Sequence, residues 1–221
     1  PAELVCPGEP LLDGIVKVLI GRLGHALKQG CVLVDDMDPG CEPQLLLYIE
    51  DSVLDGTALA DGTNRTVSKE FRFVEVNATG EVRNAGYAPY LDYRGPRPSE
   101  MAAARMIADS QAWLAGDIEK RAVDFAIRAI VPAHLREVRE QRLPQIEKVA
   151  RAVDARLTDE ANHWDGHAWE LEEKERQGKK TRLSSINARR RADELRDRRQ
   201  VRLAQLKREK AMRPAPPRVL G

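Results

Sequence analysis

The 221-residue sequence is short of three things, and each shortage closes off a class of protein. Its three cysteines, Cys6, Cys31 and Cys41, are too few and too scattered for a disulfide framework or a CxxC metal knuckle. They read as reduced, mostly buried thiols. Aromatic residues make up 5% of the chain while charged residues reach 32%, a balance that favours extended, charge-laced helices over a compact sheet-rich enzyme. No apolar run has transmembrane length and no secretory pattern opens the chain, which predicts a soluble, cytoplasmic protein with no membrane contact. Nucleotide and nucleophile signatures are missing too: no GxxxxGK[ST], no GxGxxG between strand and helix, and no GxSxG. No Ser–His or His–Cys set stands out by spacing, so the fragment is read as no enzyme and as holding no cofactor of its own. It starts at Pro1 and ends on Pro216-Pro217-Arg218-Val219-Leu220-Gly221, which reads as a piece of a larger polypeptide.

What is present is charge, sorted along the chain. The net charge of +1 conceals 9 Lys/Arg against 15 Asp/Glu in residues 1–97, 12 against 16 in 98–178, and 13 against 4 in 179–210. Blocks of this kind inform about partners more than about fold.

The expected fold is α+β: a small mixed sheet with helices, followed by an all-α region with a long antiparallel coiled-coil hairpin. Residues 1–95 form the α+β module. Leu12, Ile15, Val16, Leu19 and Leu23 have the spacing of a helix facing a core, from Pro10 to Lys28. Cys31–Val34, Gln44–Glu50 and Val67–Val76 read as strands, with Phe71 and Phe73 on one face of the last and Arg72 on the other. Asn77-Ala78-Thr79-Gly80 is a hairpin loop, and Asp38-Pro39-Gly40 a turn. The tyrosine-rich segment Gly86–Arg94 suits an aromatic recognition loop or a cover over the sheet end. Connecting helices fill 96–143, with a start at Ser99-Glu100 and breaks near Pro132 and Pro144. The hairpin occupies 144–212 and a tail or linker 213–221. Leu143, Ala150, Leu157, Trp164 and Leu171 mark one heptad seam position, and Ile146, Val153, Glu160, His167 and Lys174 its complement, so the seam is expected to turn polar toward its tip at Gln177–Lys180.

Two stretches could carry chemistry. His163-Trp164-Asp165-Gly166-His167 has the i,i+4 histidine pair of a zincin helix, but Trp164 stands where the water-activating glutamate belongs. It reads as a polar layer of the hairpin, with no metal site. The acidic cluster Asp35-Asp36-Met37-Asp38 follows a predicted strand, and without a P-loop it reads as a solvated turn. The returning helix is the stronger signal. Lys179, Lys180, Arg182, Arg189, Arg190, Arg191, Arg196, Arg198, Arg199 and Arg202 concentrate charge that could meet the phosphates of DNA or RNA, or pair with the glutamates of the outgoing helix.

The wording of several segments adds a family resemblance. Cys31-Val32-Leu33-Val34-Asp35, Leu45-Leu46-Leu47-Tyr48-Ile49-Glu50, Ala85–Tyr93, Leu183–Leu195 and the opening Leu4–Leu12 resemble the C-terminal accessory region of large bacterial and archaeal Snf2-type helicases. The resemblance implies a non-catalytic domain of an ATP-dependent motor that positions nucleic acid or a partner. ATP and Mg²⁺ would bind only in the helicase lobes of the parent polypeptide, and a further protein partner could meet the hairpin tip. A protein-interaction or oligomerisation module without nucleic-acid contact is the other expectation.

Overall fold

The computed structural model describes residues 10–38, 40 and 42–221. The stretch Leu4–Glu9, together with Cys6, Pro39 and Cys41, lies outside them. The fold is mixed α and β, and its chain divides into two compact units that share the strands of one long hairpin: residues up to 52, 69–132 and 216–221 in the first, 53–68 and 133–215 in the second.

Helices α1 (Pro10–Leu23) and α2 (Ala26–Gln29) occupy the span expected to be one helix. Ile15, Leu19 and Leu23, expected to face a core, are exposed instead. Cys31–Val34 forms no strand: Val34 makes a lone bridge with Arg94, and Cys31, expected to be buried, is exposed.

Strands β1 (Gln44–Ala58) and β2 (Asn64–Asn77) are each longer than their apolar runs suggest, and β3 (Val82–Gly86) returns from the Asn77–Gly80 turn as predicted. The strand order is β3-β2-β1, with β4 (Arg213–Pro214) and β5 (Arg218–Val219) both along the free edge of β1. The registered pairings are antiparallel, where a mixed sheet was expected; for β2 and β3 the tight turn between them requires it. The presumed tail is thus sheet: Val53 faces Pro214, and Ile49 faces Val219.

In the first unit the core is one face of the sheet closed by one helix. Alternation puts Leu47 and Ile49 of β1 beside Val74 and Val76 of β2. Against them lie Ile118, Ala122, Ala126 and Ile130, which begin on α4 (Ile118–Phe125). Two fully buried alanines in mid-row let the backbone approach the strands closely. A four-residue spacing drifts around an α-helix of 3.6 residues per turn. The wider π turn at Ala126–Ile130 takes that drift back, so Ile130 regains the sheet. Pro132 is its physical cause, since the ring blocks the carbonyl four residues earlier, and Val131 N–H reaches back to Ala126 O instead. The expected break at Pro132 is therefore a widened turn, and Pro144 sits inside an uninterrupted helix. Helix α3 (Met101–Ser110) begins after Glu100, not with Ser99 as the cap; Glu100 accepts from Arg97 N–H at 2.8 Å.

The second unit is organised by α5 (Val131–Arg176) and α6 (Ser185–Lys210) with the far ends of β1 and β2. Val53, Val138 and Met212 form its sheet-side core, with Leu135 and Leu143 against them. Gly56 is required here, because a Cβ would stand 2.9 Å from the Arg208 carbonyl oxygen. Asp55, fully buried, takes Arg65 Nε at 3.0 Å and Thr57 N–H at 2.8 Å. Removing one member of a buried pair strands the other charge. Arg65→Ala should therefore destabilise the protein by about 3 kcal/mol, the low end of that range because Arg65 is itself 39% exposed. Urea denaturation measures this; a loss under about 0.5 kcal/mol, the scale of surface pairs, would show that Asp55 does not depend on Arg65.

Candidate nucleic-acid interface

Along α5 the buried apolar residues of the outgoing helix run Ile146, Ala161, Ala168 and Leu171, and the last two, with half-buried Trp164, pack with Ala188 of α6. The expected complement of Glu160, His167 and Lys174 is displaced by one residue, onto Ala161 and Ala168. Glu160 instead pairs with Arg156 at 2.7 Å, and His167 lies 3.9 Å from Glu170. The seam consequently stays apolar toward the tip. Its polar interruption lies lower, where α6 breaks the row Ser185, Ala188, Ala192, Leu195 and Leu206 with half-buried Arg199 and Arg202.

That row resolves the role of the histidine motif. Trp164 packs with Ala168, Leu171, Ala188 and Leu183, and His163 and His167 meet its ring edge-on at 6.3 and 5.9 Å. Asp165 binds Arg196. Among the described residues no three His, Cys, Asp or Glu side chains are grouped to hold a metal ion, and no helix is long and apolar enough to cross a membrane.

The ten cations predicted to form a basic surface separate into two sets. Arg189 pairs with Glu172, Arg196 with Asp165 and Asp193, and Arg199 with Asp154 at 2.6 Å. Arg190 and Arg191 share Glu194, and Arg202 reaches Glu209 at 3.4 Å. Lys210, outside the ten, joins Glu147 at 2.9 Å. For Arg189, Arg196, Arg199 and Lys210 the partners Glu172, Asp165, Asp154 and Glu147 descend α5 as the cations ascend α6, whereas Arg190, Arg191 and Arg202 pair within α6. Lys179, Lys180, Arg182 and Arg198 are exposed and have no ion pair among the described residues. Three of these four stand in the turn between the helices.

That turn is built with care. Gly178 has φ +74°, Lys179 N–H bonds Lys174 O at 3.1 Å, and Gly178 N–H bonds Glu175 O at 3.0 Å, a Schellman closure of α5. Glu175 then accepts from Ser185 N–H at 2.9 Å and Ser185 Oγ at 2.7 Å, while Ser184 Oγ accepts from Asn187 N–H. Both helix ends are satisfied by the chain itself, so the three cations are carried on a fixed turn. Residues 172–185 hold five cations against three carboxylates, two of which already serve Arg176 and Arg189.

One contact escapes any reading by spacing. Ser68 Oγ lies 2.8 Å from His134 Nε2, 66 residues away, with the ring 1% exposed. The pair ties a strand to α5 inside the second unit. Asp36, from the acidic turn, is clamped by Arg94, which also holds Glu100, and Asp35 accepts Met37 N–H at 2.8 Å. The cluster is a self-bonded turn.

No family model, curated protein or solved structure matches the chain.

The Ser185 hydroxyl, followed by its N–H, holds the Glu175 carboxyl below the usual glutamate range. A depressed carboxyl contributes stability above its unfolded pKa, and the contribution is lost as pH falls through the folded value. Hydrogen-exchange protection at Ser185 N–H should accordingly fall as pH drops below the usual glutamate range. In Glu175→Gln it should be lower at neutral pH and flat across that window. Equal protection in both proteins would remove Glu175 as the clasp.

Proposed function

We propose that this chain is a non-catalytic accessory module of an ATP-dependent Snf2-like motor, in which an antiparallel coiled-coil hairpin presents a cationic tip to DNA or RNA. The observation that carries the reading is the division of the basic residues. Carboxylates within the chain satisfy six of ten, and those left over collect at the turn. Phosphates are met by cations that need not first be taken from a partner, because breaking a formed pair offsets the gain. The interface is therefore narrower than the whole arm: Lys179, Lys180 and Arg182 lead, with Arg198 beside the shaft. The arm acts by positioning, and ATP with Mg²⁺ belongs to the parent's helicase lobes.

A protein-interaction module is the second reading. It is favoured by Trp169 and Ile186, 70% and 76% exposed near the same end of the hairpin, since an exposed tryptophan is a common interface anchor.

Charge reversal separates the readings. Lys179→Glu with Lys180→Glu and Arg182→Glu should weaken retention of a DNA or RNA duplex at low salt by at least about tenfold. Arg189→Glu with Arg190→Glu and Arg191→Glu should weaken it less. Equal losses would return the interface to the whole arm, and no binding by the wild type would favour the protein-interaction module.

A further inference from the structure

The face of the first unit's sheet turned away from α4 carries a continuous row of rings. Alternation that puts Leu47, Ile49, Val74 and Val76 inward puts Tyr48 of β1 and Phe71 and Phe73 of β2 on the opposite face. Tyr48 lies parallel to Phe71 with centroids 5.6 Å apart, and 4.8 Å from Phe73. Tyr90, from the short 3-10 turn Pro89–Leu91, meets Phe73 edge-on at 5.5 Å and is itself 46% exposed. None of the four is buried.

The same alternation fixes the charges around the rings. Lys69 and Glu50 share their face, and Arg218 of β5 stands opposite Glu50 in register. Lys69 Nζ and Arg218 Nη2 both reach Glu50, at 3.1 and 2.9 Å, so two cations share one carboxylate. At the other end Arg83 stands opposite Glu75 in register and pairs with it at 2.7 Å. The cations lie outermost. Lys69, Arg218 and Arg83 are 43%, 67% and 65% exposed, whereas Glu50 and Glu75 are 11% and 7%. Arg83 is matched one-to-one by Glu75, but Lys69 and Arg218 divide a single carboxylate, so one positive charge beside the rings is left without a partner of its own.

We propose that this face is a stacking platform for single-stranded nucleic acid. Unpaired bases stack on aromatic side chains whatever their sequence, while the phosphates between them need cations at the border. Flat rings on adjacent strands, with the surplus cation that Lys69 and Arg218 leave over Glu50, supply both. A duplex, whose bases are already stacked, gains only the border. The proposal takes up the nucleic-acid reading of the hairpin tip and adds a second surface with different chemistry, one that recognises bases where the tip recognises phosphate.

The probe is a short single-stranded oligonucleotide carrying 2-aminopurine, whose fluorescence falls on stacking, titrated into the whole chain at low salt. Saturable quenching is expected. Phe71→Leu keeps an apolar side chain but removes the flat ring, and should weaken binding by roughly tenfold or more and reduce the quenching at saturation. Lys69→Glu with Arg218→Glu changes only partly exposed side chains and should weaken binding by a similar factor, which keeps the test decisive if Phe71→Leu does not fold. The tip variant Lys179→Glu with Lys180→Glu and Arg182→Glu should leave saturating quenching unchanged. If the wild type never quenches the probe, or if Phe71→Leu folds and quenches as wild type, the platform is overturned. If quenching survives while duplex binding is absent, the tip reading fails and the platform stands.

Discussion

The second unit depends on one set of contacts: the ion pairs that cross between α5 and α6. Asp154, Asp165 and Glu172 meet Arg199, Arg196 and Arg189, and Glu147 meets Lys210. Each exposed pair is worth little by itself. Together they set which residue of one helix faces which residue of the other, and only one register places Ala168 and Leu171 against Ala188. The same pairs determine the electrostatics, since an arginine held by a carboxylate within the chain is a poor phosphate ligand. Register and residual charge are two consequences of one arrangement.

Much of this was legible in the sequence, for reasons that can be located. The β2–β3 hairpin was signalled by Asn77–Gly80, and the turn at Gln177–Lys180 by its glycine and by the switch from acidic to basic residues. Long-range pairing was hidden. Asp55 and Arg65 are ten residues apart across a hairpin, and Ser68 and His134 sixty-six, so no local spacing reveals either. The short strands β4 and β5 were hidden by prolines, which suit an edge as well as a linker. The first helix shows the reverse failure, in which Ile15, Leu19 and Leu23 have core spacing and stand exposed.

The candidate site was half legible. Composition located the cations correctly but could not sort them, because sorting needs the helix register. A strict heptad predicts polar seam positions at Glu160 and His167. The chain instead inserts one residue of phase between Leu157 and Ala161, which brings the alanines inward and leaves the histidines at the rim of Trp164. Once that phase is fixed, Arg189, Arg196 and Arg199 acquire partners on α5, while Arg190, Arg191 and Arg202 pair within α6, and three of the four candidates left over stand in the turn. The ring row on the sheet was legible only in part, since Phe71 and Phe73 share a face by alternation, but Tyr48 joins them through strand pairing.

The central claim is that the usable charge of the ten candidate cations is about the number of them left unpaired, not all ten. The dependence of duplex affinity on salt measures that number directly, with a slope of about −0.9 per phosphate neutralised. The four unpaired residues among the ten candidates, Lys179, Lys180, Arg182 and Arg198, predict a slope of logarithmic affinity against logarithmic salt concentration of about −3 to −4 when they alone meet the duplex. A slope near about −9, matching all ten, would mean that the cross-helix pairs open on binding and would contradict the account.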